Sequence, residues 1–242
     1  MNQIKKFDKE KEINIKKMAR DKKLKFQAIK FIKDSLKYKY SYNFCWLGRP
    51  IIQLPQDIVA LEEIVWQVRP DLIIETGIAH GGSLIFYASL LELIGRGEVV
   101  GIDIEIRKHN RKEIEKHKMF KRIKMIEGSS TDKKVIKEVE KIVKKHKKVL
   151  VCLDSLHTHE HVLKELELYS PFVSKGSFLI VFDTSIEYLP QNSFKNKPWN
   201  KENNPATAVK VFLKKNKNFT IDKDIENKLL ITSAPSGYLK RI

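Results

Sequence analysis

The sequence predicts an α/β fold built on a doubly wound, mostly parallel sheet, and three observations predict it. Short apolar runs alternate with longer amphipathic stretches through most of the chain, the rhythm of strands joined by crossover helices. One run, Leu72-Ile73-Ile74, follows Pro70 and enters a turn carrying Gly77, Gly81 and Gly82, after which Leu84 to Ile94 reads as a helix. Four acids, Glu75, Asp103, Asp154 and Asp183, stand at the carboxyl ends of expected strands, the rim at which such sheets bind ligands.

The elements follow in order. Residues 1–40 are lysine-dense and form a basic, partly helical extension. Asp21 to Tyr38 has the pattern of an amphipathic helix packing on the domain or on another subunit, whereas the first twenty residues suit either a helix or a frayed end. Residues 41–242 form one domain. Tyr40 to Pro50 is an aromatic loop, too apolar for a free linker, that docks on the core or walls a pocket. Asp57 is the expected cap of a helix reaching about Val68, with Ile58, Leu61, Ile64 and Val65 on one face. Ser83 is the expected cap of the helix after the glycine turn.

Glu98 to Asp103 is a second strand, and Ile106 to Arg111 opens the next helix. Ile123 to Glu127 is a third strand, ending at Gly128-Ser129-Ser130-Thr131-Asp132, and Lys133 to Lys147 is a basic helix. Val149 to Leu153 is a fourth strand, His159 to Tyr169 a helix, and Gly176 to Phe182 leads into a fifth strand. Glu187 to Pro205, with Pro190, Pro198 and Trp199, suits a long functional loop or lid. Ala206 to Lys215 returns to helix. Phe219-Thr220-Ile221 and Leu229 to Thr232 read as a closing antiparallel hairpin at the sheet edge.

With 242 residues, 42% of them hydrophobic, the chain can bury one full core. No window holds the roughly 18 consecutive apolar residues of a membrane span, and the N-terminus lacks a signal-peptide core, so the expectation is a cytoplasmic protein. Cys45 and Cys152 lack C-x-x-C spacing, which points away from a disulfide framework or a cysteine zinc site. The net charge of +17, from 47 Lys and Arg against 30 Asp and Glu, is compatible with nucleic acid, an anionic membrane surface or an acidic substrate. The lysines spread over nearly every helix and rarely interleave with aromatics, which favours a solvated surface and argues against nucleic acid.

The glycine spacing is not the G-x-G-x-x-G of dinucleotide sites. Glu75, immediately before the turn, would repel a pyrophosphate and suits a cationic or amino-acid ligand, which favours S-adenosylmethionine (SAM) over NAD. Candidate cofactor residues are Glu75, Gly77, His80, Gly81 and Ser83 of the loop, Asp103 as acceptor for ribose hydroxyls, Ser129 and Ser130 beside the adenine, and Asp154. Methyl transfer to a hydroxyl needs that hydroxyl oriented and its proton removed; Asp154, His157 and His159 are the candidates. A divalent cation, Mg2+ in the first instance, could instead lower the hydroxyl's pKa, with Asp154 and Asp183 as hard oxygen ligands. His157 and His161 stand four apart and raise a zinc site, but the H-E-x-x-H order is absent.

These residues carry a resemblance. The segments Glu75 to Ser83, Gly101 to Ile104, Glu127 to Ser130, Leu153 to Val162 and Val181 to Thr184 resemble the cephalosporin hydroxylase family. So do Lys197-Pro198-Trp199, Asn203-Asn204-Pro205 and Gly237 to Arg241. The likeness covers roughly residues 40–242. Members of that family resemble class I SAM-dependent methyltransferases, including rhamnosyl O-methyltransferases of cell-surface glycolipids and enzymes attributed to cephamycin or lipopolysaccharide pathways. The resemblance implies a Rossmann-like fold, SAM as cofactor, and O-methylation of a sugar or glycolipid hydroxyl in surface-glycan synthesis; a homo-oligomer and a peripheral membrane contact are the partners expected. By the same resemblance Asp154 and Asp183 lie at the metal or substrate position. Metal-dependent relatives put two adjacent metal-binding residues where this chain has Phe182 and Asp183. Two other readings remain open at this point: a non-haem iron oxygenase, as the family's name suggests, and an RNA-binding protein or RNA methyltransferase, suggested by the charge.

Overall fold

A computed structural model describes residues 2–242. Two helices lead the chain, α1 (Gln3–Arg20) and α2 (Lys22–Ser35), joined at Asp21, whose carboxylate accepts from Leu24 N at 2.9 Å and starts the second helix. Only Ala28 of these two helices is buried. Residues 3–20 are therefore helical, with little burial to hold them.

The aromatic segment folds into a small hairpin, β1 (Phe44–Trp46) and β2 (Arg49–Ile51), turned at Leu47 and Gly48, both of positive φ. Trp46 stacks edge-on against Phe86, with centroids 4.9 Å apart, and its indole N–H donates to Ser89 Oγ at 3.0 Å. Tyr40 and Tyr42, just before it, line the main cavity. The segment thus both docks on the core and walls a pocket.

Helix α3 (Pro55–Val68) begins with a proline at a position that needs no N–H. Asp57 does not cap it. Leu54 holds that place, and Asp57 is fully buried, accepting from Ser233 N at 2.8 Å and from the Tyr238 hydroxyl at 2.7 Å. Burial pushes its carboxyl up against the pull of these donors. The role of Asp57 is to bind the C-terminal segment, a partnership invisible at a separation of more than 170 residues.

Then come β3 (Leu72–Thr76), α4 (Gly82–Ile94), β4 (Glu98–Asp103), α5 (Lys108–Glu115), β5 (Ile123–Glu127), α6 (Lys133–Val143), β6 (Val149–Leu153), α7 (His159–Tyr169), β7 (Phe178–Val181), α8 (Pro205–Lys215), β8 (Phe219–Ile221), α9 (Lys223–Lys228) and β9 (Tyr238–Arg241). The other seven strands form one sheet in the order β5-β4-β3-β6-β7-β9-β8. All neighbours are parallel except β9, which runs antiparallel to both β7 and β8. Every residue of β3, β6 and β7 is buried, as strands covered on both faces must be. One face, with Ile73, Val99 and Leu150, packs under α3 and α4; the other, with Ile74, Val100 and Val151, packs under α6, α7 and α8. The winding reverses between β3 and β6, and that switch point opens the crevice at the strands' carboxyl ends.

The antiparallel edge exists, but not as the expected hairpin. Asp222 accepts from Asp224 and Ile225 N–H groups and starts α9, so Leu229 to Thr232 leaves a helix end and forms no strand. The strand is instead the buried Tyr238-Leu239 tail, inserted between β7 and β8. Helix α1 packs against α9. Among the described residues no helix is long and apolar enough to cross a membrane.

Candidate active site

The turn after β3 is held open by hydrogen bonds from several directions. Gly77 N donates to Ile102 O at 2.7 Å; Asp103 Oδ2 accepts from Ile78 N at 2.7 Å and Ala79 N at 3.3 Å. Gly77, Ala79 and Gly81 all have positive φ. The Arg49 guanidinium donates to His80 O, and Asn110 Nδ2 donates to Ala79 O at 2.9 Å. Gly77 has no room for a side chain, because a Cβ there would lie 2.1 Å from the Asp154 carbonyl oxygen. Gly77→Ala is expected to cost about 3 kcal/mol from backbone strain and overpacking together, read as a fall in Tm by calorimetry.

Ser83 does not cap α4. Gly81 occupies that position, and the Ser83 hydroxyl instead donates to Glu75 Oε2 at 2.6 Å. Glu75 shares its strand face with Ile73, under α4, and is 1% exposed. Burial, helped by the nearby Asp103 charge and opposed by the Ser83 hydroxyl, pushes its carboxyl up to about 8. Glu75 therefore does not reach the cavity surface, and Gly81 packs on Ile114 rather than facing a ligand. Because the folded-state value lies above the ordinary 4.5, the stability tied to neutral Glu75 is full below about pH 4.5 and is lost as pH rises through about 8. Glu75→Gln is expected to flatten this dependence and to be more stable than the parent at pH 8 by a few kcal/mol, as measured by urea unfolding across the range.

The other candidate cofactor residues, Gly77, His80, Ser83, Asp103, Ser129, Ser130 and Asp154, all line one cavity of about 840 Å³ over the carboxyl ends of β3, β4, β6 and β7. Its size matches that of small-molecule sites. Asp103 keeps acceptor capacity beyond its loop bonds, since an ionised carboxylate offers about four lone-pair sites. Ser130 is fixed by a 3.1 Å contact to His161 Nε2 and by the Tyr169 hydroxyl, which donates to its carbonyl.

At the far side of this cavity Asp154, His157 and Asp183 converge, their ligand atoms within 4.8 Å of one another. His157 Nε2 lies 3.1 Å from Asp183 Oδ2, and Trp199 stands edge-on to the imidazole at 4.7 Å. Gln53, 4% exposed, donates from Nε2 to Asp154 Oδ2 at 3.1 Å. Asp154 opens onto the cavity but is walled by protein; burial first, then the charges of Asp183 and Glu75, push its carboxyl well above the usual carboxylate range. Two carboxylates and an imidazole at this spacing fit a divalent cation, whose charge would relieve the repulsion between the acids. Phe182 is a buried core side chain, and the side chain that joins Asp154 and Asp183 in the cluster is instead His157, just beyond β6.

One candidate side chain lies elsewhere. His159 points away from the cavity: its Nδ1 meets Thr207 Oγ1 at 2.7 Å and its backbone N–H donates to Asn203 Oδ1, so it ties the start of α7 to α8 and the loop before it. His157 and His161 form no zinc pair, because His161 turns to Ser130 and Glu165. The iron-oxygenase reading loses its support as well, since such sites use two histidines with one carboxylate, whereas this cluster has two carboxylates and one histidine at the end of a mostly parallel sheet. Sequence reasoning missed Arg49, Asn110 and Gln53 as parts of the site. Only Gln53 left a signal, a polar residue inside the run Ile51-Ile52-Gln53-Leu54.

The family model described as Rhamnosyl O-methyltransferase/CmcI matches residues 38–242. A rhamnosyl O-methyltransferase of Mycobacterium tuberculosis (strain H37Rv) is 29% identical over 190 residues, covering 76% of this chain and 73% of the relative. One from Mycobacterium leprae is 28% identical over 147 residues, covering 60% of this chain and 62% of the relative. Among solved structures, apo CmcI superposes with a TM-score of 0.59 at 18% identity, covering 83% of this chain and 77% of that one. CmcI with Mg and SAM gives 0.58 at 17% identity, with the same coverage. At these identities the structural likeness establishes a shared fold.

Proposed function

The chain belongs to the rhamnosyl O-methyltransferase/CmcI family, and on that footing we propose that it is a SAM-dependent O-methyltransferase acting on a sugar hydroxyl, with a rhamnosyl unit as acceptor. The observation that carries the reading is the single cavity in which the Gly77 to Ser83 loop and Asp103 face the cluster of Asp154, His157 and Asp183. The curated relatives act on rhamnosyl groups, as their names state.

The loop, Asp103, Ser129 and Ser130 would hold SAM, which supplies an electrophilic methyl group; Asp154, His157 and Asp183 would hold Mg2+, which lowers the pKa of a hydroxyl. The protein's own work is positioning and proton transfer. Gln53 fixes Asp154 by one oxygen and leaves the other for the acceptor hydroxyl. Asp183 orients the His157 ring through Nε2, and Trp199 closes against its face, which limits water at the reacting centre. The lid from Glu187 to Pro205 is secured by Asn204, which caps α8 and reaches Glu187 at 3.0 Å.

The test is incubation of purified protein with SAM, Mg2+ and a panel of rhamnosyl glycosides, followed by mass spectrometry. S-adenosylhomocysteine together with a singly O-methylated sugar supports the reading. Turnover on no rhamnosyl or other glycosyl acceptor, with SAM bound, contradicts it.

A further inference from the structure

The first forty residues carry fourteen Lys and Arg against five Asp and Glu, so a sixth of the chain holds nine of its seventeen excess positive charges. The same stretch is rich in large apolar side chains that the fold leaves in water: Ile4 is 68% exposed, Phe7 66%, Phe26 68% and Tyr38 69%. Charge and apolar surface interleave at helical spacing, as Ile4-Phe7-Lys11 on α1 and Lys22-Phe26-Ile29-Lys33 on α2. Among the described residues, only Lys11 and Lys30 of these cations have an acidic partner within 4.0 Å, Asp8 and Asp34. The family model begins at residue 38, so this arm lies outside the shared domain. Yet it borders the site, because Ile32, Ser35 and Leu36 at the end of α2 line the same cavity as Asp154 and Asp183.

We propose that α1 and α2 form an interfacial arm that docks the enzyme on an anionic phospholipid bilayer and presents the cavity to a sugar carried on a lipid. The carrier deepens the sugar-methyltransferase reading and rests on it; the docking itself does not. Apolar side chains set among lysines suit the boundary between headgroups and acyl chains, where lysine stems lie along the apolar layer and their ammonium groups meet lipid phosphates. A polynucleotide would use the lysines but leave Ile4, Phe7 and Phe26 without partners. A second copy of the chain would cover those residues but set a cluster of nine net positive charges against an identical one.

The experiment is flotation of the full-length protein, loaded with SAM, with vesicles of phosphatidylcholine alone or containing roughly one-third phosphatidylglycerol. The protein is expected to float with the anionic vesicles at about 0.1 M salt and to be released at about 1 M, where the screening length falls to about 3 Å. Lys22→Gln with Lys25→Gln is expected to weaken binding roughly 25-fold, about fivefold per lysine. Phe7→Ser with Phe26→Ser is expected to weaken it about tenfold. These side chains lie outside the cavity, so SAM affinity and the circular dichroism spectrum stay unchanged in both variants. Failure to float, equal binding to neutral vesicles, or variants that bind like the parent would overturn the proposal. So would a dimer that the Phe variants dissociate without any vesicle binding, or retention on RNA that competes vesicles away. A protein that floats but methylates no sugar would leave the arm standing and remove the acceptor; one that methylates soluble rhamnosides but never floats would do the reverse.

Discussion

Asp154→Asn is expected to lower kcat by about three orders of magnitude, within the range for loss of a positioned proton acceptor, while SAM affinity changes only a few-fold. The substitution keeps size and the Gln53 contact region but removes the group able to hold a proton. It also removes one of two carboxylates from the donor set of Asp154, His157 and Asp183. Burial and the neighbouring charges of Asp183 and Glu75 disfavour the ionised form of this carboxyl, so a neutral amide is easily accommodated and the fold should hold. Stability equal to or above that of the parent, with activity lost, separates a chemical role from a structural one. A pH profile of kcat whose acidic limb disappears in the variant's residual activity would identify Asp154 as the titrating group. Activity within tenfold of the parent would remove it from the chemistry.

Asp103→Ala is expected to raise the Kd for SAM about a hundredfold. One carboxylate oxygen accepts from two N–H groups of the glycine turn, Ile78 and Ala79. Bonds to a charged acceptor are each worth about 1.5 kcal/mol or more, and about 2.8 kcal/mol corresponds to a hundredfold in affinity. Losing them frees a turn in which Ala79 holds an unfavourable positive φ, so the ligand must order it again on binding. Asp103→Asn keeps one oxygen able to accept and is expected to lose about tenfold. Calorimetric titration distinguishes the two, and parent-like affinity in the alanine variant would show that Asp103 neither shapes the loop for the ligand nor touches it.

The parts legible in the sequence are those governed by local pattern. Central parallel strands such as Val149 to Leu153 read as unbroken apolar runs, and Glu98 to Asp103 and the edge strand Ile123 to Glu127, though interrupted by polar residues, also occupy the limits expected of them. Asp103, Asp154 and Asp183 reach the cavity because the carboxyl ends of parallel strands share one rim. Glu75 stands at the same rim in sequence, yet strand alternation turns it under α4 beside Ser83. His159 and His157 differ by two residues and part company because α7 begins between them, sending one to Thr207 and the other to Asp183. Asp57 and the Leu229 to Thr232 run misled for a common reason: their partners are brought together by the fold from opposite ends of the domain. Arg49 and Asn110 clamp the glycine turn across 31 residues in opposite directions along the chain, and nothing in their local pattern marks them.

The most direct test of this account is titration of the purified protein with SAM, S-adenosylhomocysteine and NAD, each with and without Mg2+. The account predicts micromolar binding of SAM and S-adenosylhomocysteine and none of NAD. NAD binding, or no binding of SAM under either condition, would contradict it.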